Sequence, residues 1–123
     1  MKTIITNDIK DLYYYIALDF DGTLVEHCFP EIGFIRLDTI EKLKKRIEYI
    51  KSKGLIVILL LWTCRVNLPG RNYLDEAVEW CKENGIEIEE NGINNNPYVN
   101  FGHPELVKKI YADEYWDDKA VGC

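Results

Sequence analysis

The sequence has no C-x-x-C pair, no N-x-[ST] acceptor, no internal repeat and no apolar run near the ~18 residues that suggest a membrane span. Its four cysteines, Cys28, Cys64, Cys81 and Cys123, are scattered and share no zinc-like spacing with the only histidines, His27 and His103. That excludes a zinc module, and the thiols are expected to be reduced. The opening "MKTIITNDIKDLYYY" places Asn7, Asp8 and Asp11 where a signal peptide needs an unbroken apolar core. A cytoplasmic protein with no membrane partner is the expectation. Basic residues are also short, 15 against 21 acidic, for a net charge of -6, which excludes a non-specific binder of nucleic acid or anionic lipid. The one basic cluster, "KLKKR" at Lys42 to Arg46, is interleaved with Glu41 and Glu48 and reads as the solvated face of a helix.

What remains is a globular composition. Hydrophobic residues make up 47% of the 123 and charged residues 29%, too apolar for disorder. Nothing marks a break between two domains, so residues 1–123 read as one. A chain of this length buries somewhat over ~60% of its unfolded surface, which suffices for a core without staples.

Element types alternate along it. "YYYIALDF" (Tyr13 to Phe20) and "LIVILLLW" (Leu55 to Trp62) are short continuous apolar runs, the pattern of strands covered on both faces. Between them Leu37, Ile40, Leu43, Ile47 and Ile50 form a helical stripe that Gly54 ends. Leu74, Ala77, Val78 and Cys81 repeat the spacing and stop at Gly85; "IEI" at Ile86 to Ile88 is a third strand, and Glu114 to Trp116 a last one. This alternation predicts right-handed crossovers onto a mainly parallel sheet, a three-layer α/β/α Rossmann-like sandwich. Such sheets bind ligands at the carboxyl ends of their strands, where Asp19, Thr63 and Asp117 all fall.

The first strand ends in two acids. Asp19 and Asp21 are two residues apart, so both can face one point if the chain turns only after Phe20, and Gly22 permits that turn. Paired carboxylates repel unless a proton or a cation sits between them, and Mg2+ suits an all-oxygen site. Asp117 and Asp118 complete the set. A plain β-turn also accounts for "DG", but not for a second acidic pair ending another strand, nor for Thr63 ending a third.

"LDFDGTL" (Leu18 to Leu24) resembles the first motif of the haloacid-dehalogenase-like (HAD) hydrolases, an apolar strand ending in D-x-D-G-T. "LLLWTCR" (Leu59 to Arg65) resembles the second motif and "YWDD" (Tyr115 to Asp118) the acidic fourth. The resemblance spans Tyr15 to about Ala120. It implies strand order 3-2-1-4 and an Mg2+-dependent phosphatase in which Asp19 is the nucleophile, passing through an aspartyl-phosphate, and Asp21 is the general acid and base. It further implies a metal held by Asp19, Asp21 through its backbone carbonyl, and Asp117, with Asp118 assisting directly or through water. Thr63 would bind a phosphoryl oxygen. A lysine is required before the last strand; Lys108 and Lys109 both offer, and the resemblance favours Lys109. Only Val25 to Arg36 separate the first strand from its helix, too few for a cap domain. Capless relatives take large phosphorylated substrates, nucleic-acid ends among them, or borrow a second subunit as a lid.

Three alternatives stand beside this reading. Cys64 and Arg71 resemble a tyrosine-phosphatase thiolate loop whose arginine comes one residue late; the simpler role for Cys64 is to sit beside Thr63 at the substrate. Arg65 is either a contact to a substrate anion or a surface ion pair. A receiver-like phosphoacceptor, or an inactive phosphate-binding module, shares the architecture, but not D-x-D-G-T on its first strand. His27 and His103 lack mutual spacing and a defined partner and read as structural or exposed; the minor alternative for His103, in "FGHPEL", is a substrate contact from a loop at the mouth of the site.

Overall fold

The computed structural model describes residues 12–99 and 110–117. Its main sheet contains β1 (Tyr13–Leu18), β2 (Ile56–Leu61), β5 (Ile88–Ile93) and β6 (Glu114–Trp116), in the order β5-β2-β1-β6 with every neighbouring pair parallel. Helix α1 (Leu37–Ser52) joins β1 to β2, and α2 (Tyr73–Glu83) precedes β5. This is the mixed α/β architecture and strand order expected. Between β2 and α2 lies a small antiparallel hairpin, β3 (Asn67–Leu68) and β4 (Arg71–Asn72), whose strands are too short to leave a periodic signal.

Alternation along β1 divides the core in two. Tyr14, Ile16 and Leu18 face α1 and α2, where Ile40, Leu43, Ile50, Ala77 and Cys81 are buried against them. Tyr13, Tyr15 and Ala17 face the other way and pack with Tyr98, Val99, Ile110 and Ala112. With both faces covered, β1 needs no polar alternation, which is why it reads as a continuous apolar run. Each such Leu or Ile contributes roughly 1.5–3 kcal/mol over its exposed state. Both described helices lie on one face because the chain steps β1 to β2 to β5 in a single direction with right-handed crossovers.

Three boundaries differ from expectation. Leu37 is helical but 62% exposed. At about 100° per residue, its spacing of three from Ile40 leaves it roughly 100° from the centre of the stripe. The third strand begins at Ile88 instead of Ile86, because the Ile86 amide still donates to the Cys81 carbonyl (2.8 Å) and closes the end of α2. Strand β5 also bulges against β2, with Ile88 opposite Leu59 and Ile93 opposite Leu61. Helix ends at Gly54 and Gly85 fall where expected, both at positive φ. Among the described residues no helix is long and apolar enough to cross a membrane.

The short β6 is tied in by side chains. The Asp113 carboxylate accepts from the Tyr15 amide at 2.8 Å. Glu114 accepts from Tyr14 Oη (2.7 Å), Trp116 Nε1 (3.0 Å), Arg46 Nε (2.6 Å) and Arg46 Nη2. Burial pushes the Glu114 carboxyl up, but the hydrogen bonds from Arg46, Trp116 and Tyr14 outweigh it and hold the group below the ordinary glutamate value. A carboxyl depressed in the folded state stabilises above its unfolded pKa and loses that contribution as pH falls through the folded one. Glu114→Gln is therefore expected to lower the thermal midpoint at neutral pH by ~4–8 °C. The gap between parent and variant should close as pH falls below ~4, followed by circular dichroism melts.

Candidate active site

The carboxyl edge of the sheet gathers the residues that follow each strand: Asp19 after β1, Thr63 after β2, Asn94 after β5 and Asp117 after β6. The chain leaves β1 toward β2 and β5, then crosses back to β6 on the other side. The crevice between β1 and β6 is thus the topological switch point, where open parallel sheets bind ligands.

Asp19 and Asp117 stand on its two sides. Leu18 is paired with Trp116, and the Asp19 amide donates to the Trp116 carbonyl at 2.9 Å, so the two aspartates occupy the next in-register positions on adjacent parallel strands. On the opposite flank the Trp62 amide donates to the Leu18 carbonyl at 2.8 Å. Asp19 Oδ1 accepts from the Phe20 amide, also at 2.8 Å, which orients the carboxylate.

After Phe20 the backbone makes one helical turn. The Phe20 carbonyl accepts from the amides of Thr23 (3.1 Å), Leu24 (3.0 Å) and Val25 (3.4 Å). Gly22 takes φ +86°, a conformation that costs a residue with a Cβ. Arg36 Nη1 donates to its carbonyl at 2.6 Å. The chain then runs out and back as a short flap, closed by Glu26 N to Phe34 O (2.8 Å), a Val25–Ile35 bridge and Arg36 N to Leu24 O (2.9 Å). A Cβ on Gly33 would come within 2.0 Å of the Glu26 carbonyl oxygen, so the flap closes only around glycine. Turn and flap occupy the whole connection between β1 and α1, and no cap is present there.

The Asp21 carboxylate is held by Arg65 in a two-pronged pair, Nε to Oδ2 and Nη2 to Oδ1, both 2.8 Å. Among the described residues no three His, Cys, Asp or Glu side chains gather into a cation-binding group. The expectation that the carboxylates of Asp19, Asp21 and Asp117 share one point is therefore corrected: the arginine supplies the opposite charge that Asp21 was expected to find in a metal. Mg2+ is commonly held by only one or two protein carboxylates, with waters and phosphate oxygens completing its shell. The in-register pair Asp19 and Asp117 fits that requirement, and the Asp21 side chain is not part of it.

Arg65 also departs from both expectations. It is 1% exposed, so it is no surface ion pair, and its remaining N–H groups go to the carbonyls of Glu31 (3.0 Å), Pro30 (3.4 Å) and Tyr73 (3.4 Å), leaving none for a substrate anion. Cys64 is disulfide-bonded, not the reduced thiol expected, while Cys28 and Cys81 are free. Burial pushes the Cys81 thiol up to about 12. A thiolate loop is excluded in any case, because Arg71 is committed elsewhere: it bridges Glu31 of the flap (2.9 and 3.3 Å) to Glu76 of α2 (2.9 and 3.0 Å). Its guanidinium holds both glutamates below the usual carboxylate range. Lys108, Lys109, Asp118 and His103 lie outside the described residues.

Thr63 is positioned by two neighbours. Its hydroxyl accepts from the Arg65 amide (3.1 Å), and its amide donates to Asn94 Oδ1 (2.7 Å). Asn94 is not among the site residues that the sequence predicts. It sits at φ +53°, a left-handed conformation that Asn tolerates better than most residues, and the Asn-Asn-Asn-Pro string after a strand is the available signal. Asn94→Ala is expected to speed hydrogen exchange at the Thr63 amide by ~10-fold or more, by removing its acceptor. The Trp62 amide, held by Leu18, should stay unchanged in the same measurement.

Neither a family model nor a curated protein matches the sequence. A solved structure of a conserved protein coded by a locus of Bacteroides thetaiotaomicron does, with 34% identity and a TM-score of 0.60, over 89% of this chain and 79% of that one. At that identity and coverage, this chain belongs to the same family as the Bacteroides protein.

Proposed function

We propose that this protein is a capless phosphomonoester hydrolase of the haloacid-dehalogenase-like superfamily, working through a phosphoaspartyl intermediate on Asp19. The observation that carries the reading is the Leu18–Trp116 pairing, continued by the Asp19 amide bond to the Trp116 carbonyl, which sets the strand ends carrying Asp19 and Asp117 side by side at the switch point, with the D-x-D-G-T turn and a short flap directly after β1. A bare turn dipeptide has no need of a second carboxylate one strand away.

In this reading Asp19 attacks phosphorus, its carboxylate oxygen bonding to P as the P–O bond to the leaving group breaks. Asp21, in its protonated form, gives its proton to the departing oxygen and becomes the carboxylate that the Arg65 fork holds. Water then attacks the phosphoaspartate, Asp21 takes a proton back, and inorganic phosphate leaves Asp19 regenerated. Each carboxylate oxygen has two lone pairs, so the arginine fork leaves one on each Asp21 oxygen for this traffic. The Thr63 hydroxyl, oriented by the Arg65 amide, donates to a phosphoryl oxygen. Asp19 and Asp117 would hold Mg2+, which supplies charge neutralisation between an anionic nucleophile and an anionic phosphate. Lys109 would neutralise charge on both Asp19 and the phosphoryl group, and Asp118 would assist the metal directly or through water, as the motif resemblance implies. A flap in place of a cap leaves the crevice open, which suits a phosphate on a large substrate, including a nucleic-acid end, or a second subunit acting as lid.

The test is hydrolysis of p-nitrophenyl phosphate with Mg2+ and with EDTA, in the parent and in Asp19→Asn. Turnover is expected only in the parent with metal, with kcat lowered by ~10³-fold or more in the variant. Equal, metal-independent turnover in all arms would end the reading. Beryllofluoride captured at Asp19 without any turnover would favour a phosphoacceptor instead.

A further inference from the structure

We propose that Arg65 is the positioning residue for proton transfer in this site: it fixes the Asp21 carboxylate and ties it to the flap. The inference rests on the hydrolase reading and extends it to a residue that touches no substrate.

A guanidinium has five N–H donors in a rigid fork, and here all five have protein acceptors. Two go to the Asp21 oxygens, and three to the carbonyls of Glu31, Pro30 and Tyr73. Two aromatic rings pack against it as well: the guanidinium carbon lies 5.1 Å from the centre of the Phe20 ring and 5.0 Å from that of Phe29. Three stretches of chain that share no ladder therefore meet on one cation: the turn after β1, the flap, and the first residue of α2. Asp21 sits on a turn, where its side chain would otherwise sample several rotamers. The parallel bonds choose one and present the same two lone pairs outward at every encounter. Lysine keeps the charge but has neither the plane nor the fork.

The chemistry separates this role from a merely structural one. A nitrophenolate leaves phosphorus without needing a proton, whereas an alkoxide must be protonated as it departs. A residue that acts through the general acid should matter for the second and little for the first. The experiment measures kcat/KM, which reports the step up to phosphoryl transfer, on p-nitrophenyl phosphate and β-glycerol phosphate. It compares the parent, Arg65→Lys, Asp21→Asn and the double variant.

Arg65→Lys is expected to lose ~10²-fold on the glycerol ester and at least ~10-fold less on the nitrophenyl ester. In the Asp21→Asn background the same substitution should leave the ratio of the two substrates unchanged. Equal losses on both substrates, or a ratio that still moves without Asp21, would overturn the proposal. If Arg65→Lys fails to fold by its melting curve, Phe29→Leu is the second variant. Phe29 is 50% exposed and lies over the guanidinium, so its loss loosens the fork without opening the core. It should shift the ratio in the same direction, and an unshifted ratio would count against the role. A parent that hydrolyses neither ester refutes the hydrolase reading and this inference with it. An active parent whose ratio no variant changes refutes only the role of Arg65.

Discussion

Strand β1 is hydrogen-bonded along both edges and covered on both faces, and the rest of the molecule is arranged around that double constraint. Its ladder with β2 runs in register from Tyr13 opposite Ile56 to Leu18 opposite Leu61, and β6 joins from the other side. A residue so held has almost no freedom in φ and ψ. Asp19 comes one step later, with its amide still paired to Trp116, so it inherits the rigidity of the sheet while its side chain belongs to the edge. Functional groups on a strand end of this kind are placed more accurately than groups on a loop.

Asp19 and Asp117 stand on the two sides of the crevice, and around it Asp21, Glu31, Glu76 and Glu114 are each matched to an arginine. The matching is not equivalent in kind. The Arg65 guanidinium is nearly dry, and removing Asp21 would strand its charge away from water. The Arg71 and Arg46 pairs are wetter and weaker, and act as ties between elements. Stability and the geometry of the proposed reaction therefore converge on a single buried guanidinium.

The fold was legible where the physics is periodic. Continuous apolar runs gave away β1 and β2, spacings of three and four gave away both helices, and alternation of type gave the parallel order. What escaped was settled by single contacts over long sequence separations. Nothing near Arg65 in sequence says that its partner is 44 residues upstream, and a substrate contact and a surface ion pair both assume a side chain in touch with water. The D-x-D spacing suggested two carboxylates sharing one cation; beyond the helical turn anchored on the Phe20 carbonyl, Asp21 is instead held by Arg65. Asn94 looked like loop composition because its contribution is one backbone torsion and one amide oxygen, neither of which has a period.

From Ile88 to Ile93 strand β5 takes five steps where β2, from Leu59 to Leu61, takes two, and the surplus is absorbed before Ile93 re-enters the ladder. This slack uncouples the strand's end from its beginning: Asn94 is set by the Ile93 pairing and by its own amide bond to the Leu61 carbonyl, not by a count of residues from α2. Insertions and deletions between Glu89 and Asn91 can thus accumulate over evolutionary time without moving Thr63, whereas β1, with no such reserve, has to keep its length.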